Sequence, residues 1–157
     1  MQNAPEQAPL ILASNSPRRR ELLTRAGLWF RVVPSRIDES RIALSAPAAY
    51  ARKLAHAKAR EVSQRHPAAW VLGADTIVVC DDDILGKPSS AQAARRMLRQ
   101  LSGRPHRVIT GFAVCCKARN HTSGESVETQ VTSWPSLSQH CLRDSAANWM
   151  PPVWGGW

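Results

Sequence analysis

"LILASNSPRRRELLTRAG", Leu10 to Gly27, is the stretch from which the rest of the chain can be read. Leu10, Ile11, Leu12 and Ala13 form a short apolar run suited to a buried strand, and Ser14 to Pro17 break it with turn residues before a helical pattern begins. Ser16 fits an N-cap and Pro17 a first helical residue, Leu22, Leu23 and Ala26 give one apolar face, and Gly27 supplies the stop. A strand feeding a helix is the expectation. The charge needs a reason of its own. Arg18, Arg19 and Arg20 crowd the first turn, where the helix dipole is already positive and favours acids by roughly 0.3–1 kcal/mol each. An anion held by free backbone N–H groups and guanidinium forks would turn that conflict into binding. The cluster reads as a polyphosphate cradle, with a solvated basic face as the plainer alternative, and these residues alone leave the two evenly matched.

The composition sets the bounds. With 157 residues, 43% hydrophobic and 21% charged, the chain matches one ordinary globular domain rather than a disordered segment. Twenty-one Lys and Arg against twelve Asp and Glu leave a charge of +9, which points to an anionic partner such as a nucleotide, a nucleic acid or phosphate without choosing among them. No apolar stretch approaches the roughly 18–20 residues of a membrane span, and Met1 to Pro9 has neither the basic start nor the apolar middle of a signal peptide. The expectation is a cytoplasmic protein without a membrane partner. Cys80, Cys115, Cys116 and Cys141 form no C-x-x-C pair, and the five histidines are scattered, so buried thiols are expected rather than a metal cluster or a triad.

Outward from the opening, "LWFRVVPS" alternates and predicts a second strand ending at Pro34. Asp38 and Glu39 follow in a loop, either solvated or within reach of a metal-bound phosphate. Ser45 and Pro47 open a long helix to about His66, with Tyr50, Leu54, Ala57 and Val62 on one side. Lys58 lies at the border of that face, where it could enter a cleft or snorkel from the core edge. "AAWVLGADTIVVC" is the longest apolar run and predicts a central strand. Asp75 sits within it, and a carboxylate there is costly unless paired, metal-bound or placed in a cleft. Gly73 permits close approach of a backbone or ligand.

Asp81 to Asp83 read as a hairpin tip leading into "ILGKP", closed by Lys87 and Pro88. A helix is expected from Ser89 or Ser90 to Ser102, burying Ala91, Ala94, Met97, Leu98 and Leu101, with Gly103 as its stop. "HRVITGFAVCC" predicts another interior strand and "SVETQVTSW" a more exposed one. Strands alternating with helices indicate an α/β fold, a mixed β-sheet flanked by helices. Residues 134–157 carry four of the six tryptophans, and "NWMPPVWGGW" has neither period. The chain divides into a flexible start, residues 1–9, an α/β domain, 10–132, and a Trp- and Pro-rich tail, 133–157.

"LILASNSPRRRELL", "VLGADTIVV", "GKP" and "RRMLRQLSG" followed by "HRVITG" stand in an order and spacing that closely resemble Maf-type nucleoside triphosphate pyrophosphatases. The resemblance covers roughly Leu10 to Thr132. It implies a two-lobed, ITPase-like α/β cleft, commonly a homodimer, which hydrolyses a nucleoside triphosphate to the monophosphate and pyrophosphate with a divalent metal, Mg²⁺ or Mn²⁺. By motif, Ser14, Arg18 and Arg19 fall on the phosphate-binding loop, Glu39 on an acidic metal position, Lys58 on the long helix's "KA" site and Lys87 on the "KP" lysine. Asp75 falls on the proton acceptor, which is also a candidate metal ligand. Arg18 and Thr76 match the selectivity pair of the dTTP/UTP-directed branch, whose signature resembles "GADT".

The resemblance changes at the end. Family members continue through a Gly-Glu-Pro-x-Asp-Lys-Ala-Gly segment and a later Ile-Gln-Gly, and neither motif is present here. A reading-frame shift or premature end is the expectation, with the C-terminal part of the fold incomplete and activity impaired. The alternative from another class is a non-catalytic nucleotide- or nucleic-acid-binding protein built on the +9 charge. Carboxylates near the phosphate site disfavour it, since phosphate-backbone binding has no use for them.

Overall fold

A computed structural model describes residues 9–86 and 88–132. In chain order these form β1 (Leu10–Leu12), α1 (Pro17–Arg25), β2 (Phe30–Val32), a 3₁₀ turn (Glu39–Arg41), α2 (Pro47–Arg65), β3 (Trp70–Cys80), β4 (Asp83–Leu85), α3 (Ala91–Leu101), β5 (Pro105–Cys116), a second 3₁₀ turn (Lys117–Arg119) and β6 (His121–Thr132). The strands make one mixed sheet in the order β2-β1-β3-β5-β6, with β4 also on β3. β1 runs parallel to β2 and β3, while β4 and β5 run antiparallel to β3 and β6 antiparallel to β5. The α/β class and the mixed sheet agree with the sequence. Among the described residues no helix is long and apolar enough to cross a membrane.

Alternation along β3 divides the interior into two faces. Val71, Ile77 and Val79 turn toward α2, where Ala51, Leu54, Ala55, Ala59 and Val62 are buried with Ile11, Ile109 and Ala113. Val78 and Cys80 turn the other way and pack with Leu101 and the half-buried Met97 of α3. The contact between α2 and the sheet is unusually close. A Cβ on Gly73 would meet the Ala55 carbonyl oxygen and come within 2.7 Å of the Ala59 amide nitrogen, and one on Gly111 would strike the Ala51 carbonyl. Only hydrogen at these two positions lets the helix backbone rest on the strands.

Several expectations need correction. The apolar face assigned to α1 is not buried: Leu22 is 57% exposed, Ala26 is exposed and Leu23 is only half-buried. Its termini are as expected, with Ser16 Oγ accepting from the Arg19 amide and Gly27 at φ +73° just past the end. On α2, Leu54 and Val62 are buried as expected, while the close approach adds Ala51, Ala55 and Ala59 as contact residues and leaves Tyr50 and Ala57 half-buried. α3 buries Leu101 alone, leaving Ala94, Met97 and Leu98 half-buried and Ala91 exposed. β2 keeps only three residues of its expected run, and Trp29 before it is 95% exposed. β6 begins at His121 rather than Ser126, since the full length of β5 is available to pair with it. Cys80, Cys115 and Cys116 are buried free thiols, as expected. The calls on residues 1–8, Lys87, Cys141 and the tail from Ser133 lie outside the described residues.

The glycine contacts make a direct prediction. Gly111→Ala should lower stability by about 1–3 kcal/mol through overpacking of α2 against β5, seen as a lower melting temperature. An exposed control such as Gly86→Ala, whose Cβ meets nothing within 4 Å, should melt like the parent.

Candidate active site

The sheet has a gap beside the pairing of β3 with β5. β5 pairs with β3 from Val71 to Val79, but on the opposite edge β1 reaches only Leu72 and β4 only Val78. Gly73 to Ile77 are therefore unpaired by any described strand on that edge. β1 ends at Leu12, and the chain turns away through Ala13 and Ser14 into α1. Loops leaving the carboxyl end of a parallel strand beside such a divergence are where α/β sheets place ligands. Asp75 and Thr76 sit in the middle of the gap.

Asp75 faces α2 and is 2% exposed. The Lys58 ammonium, itself 12% exposed, donates to Asp75 Oδ1 and lies 3.0 Å from Glu39 Oε1. A buried carboxylate is thus paired, and the lysine left ambiguous by sequence enters the cleft. Burial pushes the Asp75 carboxyl above the ordinary carboxylate range; Lys58 and Arg19 pull it down, and Glu39 adds to the rise. A cleft of about 460 Å³ opens here, lined by Glu39, Tyr50, Leu54, Asp75, Thr76 and Ile84.

Thr76, the next residue, faces α1. Its Oγ1 accepts from Arg19 Nη2 at 3.0 Å, and Arg19 Nη1 donates to the buried Ser14 Oγ at 3.1 Å. Ser14 Oγ also accepts from the Ser16 amide, which ties the loop to the helix start. Burial lowers the Arg19 guanidinium from its ordinary value, while Asp75 and Glu39 oppose the shift. Arg18 is exposed and lines a second hollow of about 510 Å³ with Leu23, Thr76, Thr110 and Phe112.

The fold brings Ser14, Arg19, Glu39, Lys58, Asp75 and Thr76 to one gap, with Arg18 at its outer side. Two carboxylates, Glu39 and Asp75, converge on one cation. That donor set suits a hard divalent ion which takes one or two carboxylates and completes its shell with water and phosphate oxygens. No group of three or more His, Cys, Asp or Glu able to hold a metal occurs among the described residues. Sequence reasoning missed Thr110, whose Oγ1 is 3.0 Å from Thr76 Oγ1. Its signal is only a register: Thr76 and Thr110 pair directly across β3 and β5.

A family profile described as "Maf-like protein" matches residues 9–152, beyond Thr132 where the resemblance was expected to stop. A dTTP/UTP pyrophosphatase of Geobacter sp. (strain M21) is 43% identical over 146 residues, 93% of this chain and 75% of the relative. One from Geobacter metallireducens is 49% identical over 127 residues, 81% of this chain and 66% of the relative. One from Moorella thermoacetica is 54% identical over 123 residues, 78% of this chain and 63% of the relative. The chain thus spans about two thirds of the length of most of these relatives. Among solved structures, a HAM1 protein from Coxiella burnetii matches with a TM-score of 0.53 at 14% identity, covering 79% of this chain and 72% of that one. That likeness is one of fold alone.

Lys58→Met should destabilise the protein by about 3–5 kcal/mol at neutral pH, because it strands a buried carboxylate. A raised folded-state pKa stabilises below the ordinary carboxylate range, and that contribution is lost as pH rises through the raised value. Removing the ammonium that opposes the rise extends the window upward. The melting temperature of Lys58→Met should therefore fall from acid toward neutral pH more steeply than that of Lys58→Met/Asp75→Asn, which should also melt higher at pH 7. Equal slopes for the two variants would remove the pairing from the account.

Proposed function

The chain belongs to the Maf-like protein family, and we propose on that footing that it hydrolyses nucleoside triphosphates, dTTP and UTP foremost, to the monophosphate and pyrophosphate. One placement carries this reading: the buried Asp75 carboxylate lies beside Lys58 and Glu39 in an open gap of the sheet, with Arg19 on its rim. The relatives named dTTP/UTP pyrophosphatase support the substrate class.

The triphosphate presents its charge to Arg19, Arg18 and Lys58, and Lys87 adds to them as the resemblance implies. Guanidinium and ammonium groups fixed before substrate arrives stabilise charge that grows on the phosphoryl oxygens, without reorganising at the moment of reaction. Asp75 takes a proton from water, and the water oxygen bonds to the α-phosphorus. The bond from that phosphorus to the bridging oxygen breaks in line, and its electron pair leaves with pyrophosphate. A carboxyl raised above the usual range is better matched to this task near neutral pH than an exposed one. Glu39 and Asp75 are the residues that would hold Mg²⁺ or Mn²⁺, which when bound neutralises phosphate charge and polarises the phosphoryl group. Arg18 and Thr76, both lining the outer hollow, are assigned to choice of base.

Incubated with dTTP or UTP and Mg²⁺ or Mn²⁺, the protein should release pyrophosphate, and Asp75→Asn should lower the rate by about 10²–10⁴-fold. Undiminished turnover in that variant would refute the assignment. Arg19→Ala should weaken triphosphate binding by about 1.5–3 kcal/mol, the scale of a hydrogen bond to a charged group. Arg18→Ala should cost less, because its side chain is exposed.

A further inference from the structure

We infer that Thr110 is a positioning residue that fixes the Arg19 guanidinium through Thr76, an inference that rests on the phosphate-binding role just proposed for Arg19. Arg19 has donors only, so Thr76 Oγ1 accepts its Nη2 hydrogen. Thr76 has one hydroxyl hydrogen of its own, and Thr110 Oγ1 lies 3.0 Å away across the strand pair. Donation from Thr76 to Thr110 completes a directional chain in which each hydrogen bond polarises the next and strengthens the acceptor seen by Arg19.

The chain also fixes a rotamer. Thr76 has one hydroxyl, and turning it toward Thr110 sets where its lone pairs point toward Arg19. Ser14 holds the other fork of the guanidinium at 3.1 Å. Arg19 is thus gripped from two sides by neutral oxygens, one on the loop after β1 and the other on β3. Thr110 does not line the cleft that holds Asp75; it lines the outer hollow with Val108 and Phe112.

These surroundings make the role separable from stability. Valine has the shape of threonine and suits a strand, and here it would face the apolar neighbours Leu72, Val108 and Phe112. Thr110→Val should therefore melt at or above the temperature of the parent, and Thr110→Ser should keep the hydroxyl that matters.

Two measurements on the full chain test this. Affinity for a non-hydrolysable α,β-imido analogue of dUTP should fall by roughly three- to tenfold in Thr110→Val, the loss of one hydrogen bond's worth of ordering, and return in Thr110→Ser. Parent-like affinity in Thr110→Val, while Arg19→Ala binds weakly, overturns the inference and leaves the cradle standing. Parent-like affinity in Arg19→Ala sinks the cradle instead. The second measurement needs no nucleotide: ¹⁵N spectra of the Arg19 side chain should show separate, slowly exchanging Nη signals in the parent and in Thr110→Ser, and averaged signals in Thr110→Val. Averaged signals in the parent, or separate ones in Thr110→Val, overturn the positioning role whatever the affinities do.

Discussion

The fold depends on how closely α2 can rest on β3 and β5. Gly73 and Gly111 give up their side chains so that the backbone around Ala51, Ala55 and Ala59 lies directly on the strands. The contact buries a row of alanines and a valine, and with them the small apolar core on that face. Asp75 pairs in register with Gly111, so the carboxylate lies beside the point of closest approach. Lys58 precedes Ala59 by one residue, so the contact that pins the helix at Ala59 also sets where the Lys58 side chain starts, within reach of Asp75. Core packing and active-site geometry here have one cause. A side chain at Gly73 or Gly111 would move both together.

Alternation along β3 then divides the work. Asp75 and Thr76 are neighbours in sequence, and the pleat turns them to opposite faces. Asp75 meets the helix on one side with Lys58 and Glu39, while Thr76 meets Arg19 and Thr110 on the other. At the gap left between β1 and β4, Thr76 lines both the cleft that holds Asp75 and the outer hollow that holds Arg18 and Arg19. One strand thereby supplies a carboxylate that pairs with Lys58 and a hydroxyl that accepts from Arg19, without either occupying the other's volume.

How much of this is legible in the sequence varies with the range of the signal. The caps of α1 can be read because Ser16, Pro17 and Gly27 act locally. Asp75 stands out because an acid in an apolar strand is costly in any fold. Lys58 could be assigned only as cleft or core edge, since the choice depends on which way α2 is rotated, and that is set by two glycines on distant strands. The apolar faces of α1 and α3 are less buried than their periodicity suggests, because periodicity shows which side of a helix is apolar but not how deeply that side is covered. Thr110 could not be found at all without the β3–β5 register, because 34 residues separate it from Thr76.

The arginine cluster at the start of α1 shows what kind of partner the site is built for. Arg19 is held by the hydroxyls of Ser14 and Thr76, both neutral. A structural salt bridge would put a carboxylate in those places and neutralise the charge. Here the nearby acids are in contact with Lys58, and their charges favour the Arg19 cation without replacing its two hydroxyl partners. The guanidinium is fixed in direction, is partly stripped of water and keeps its full charge beside a helix N-terminus that is itself positive. Such an arrangement is unfavourable in isolation and becomes favourable when a polyanion enters. The same conflict that makes three arginines improbable in the first turn of a structural helix is what the proposed phosphate-binding role would resolve.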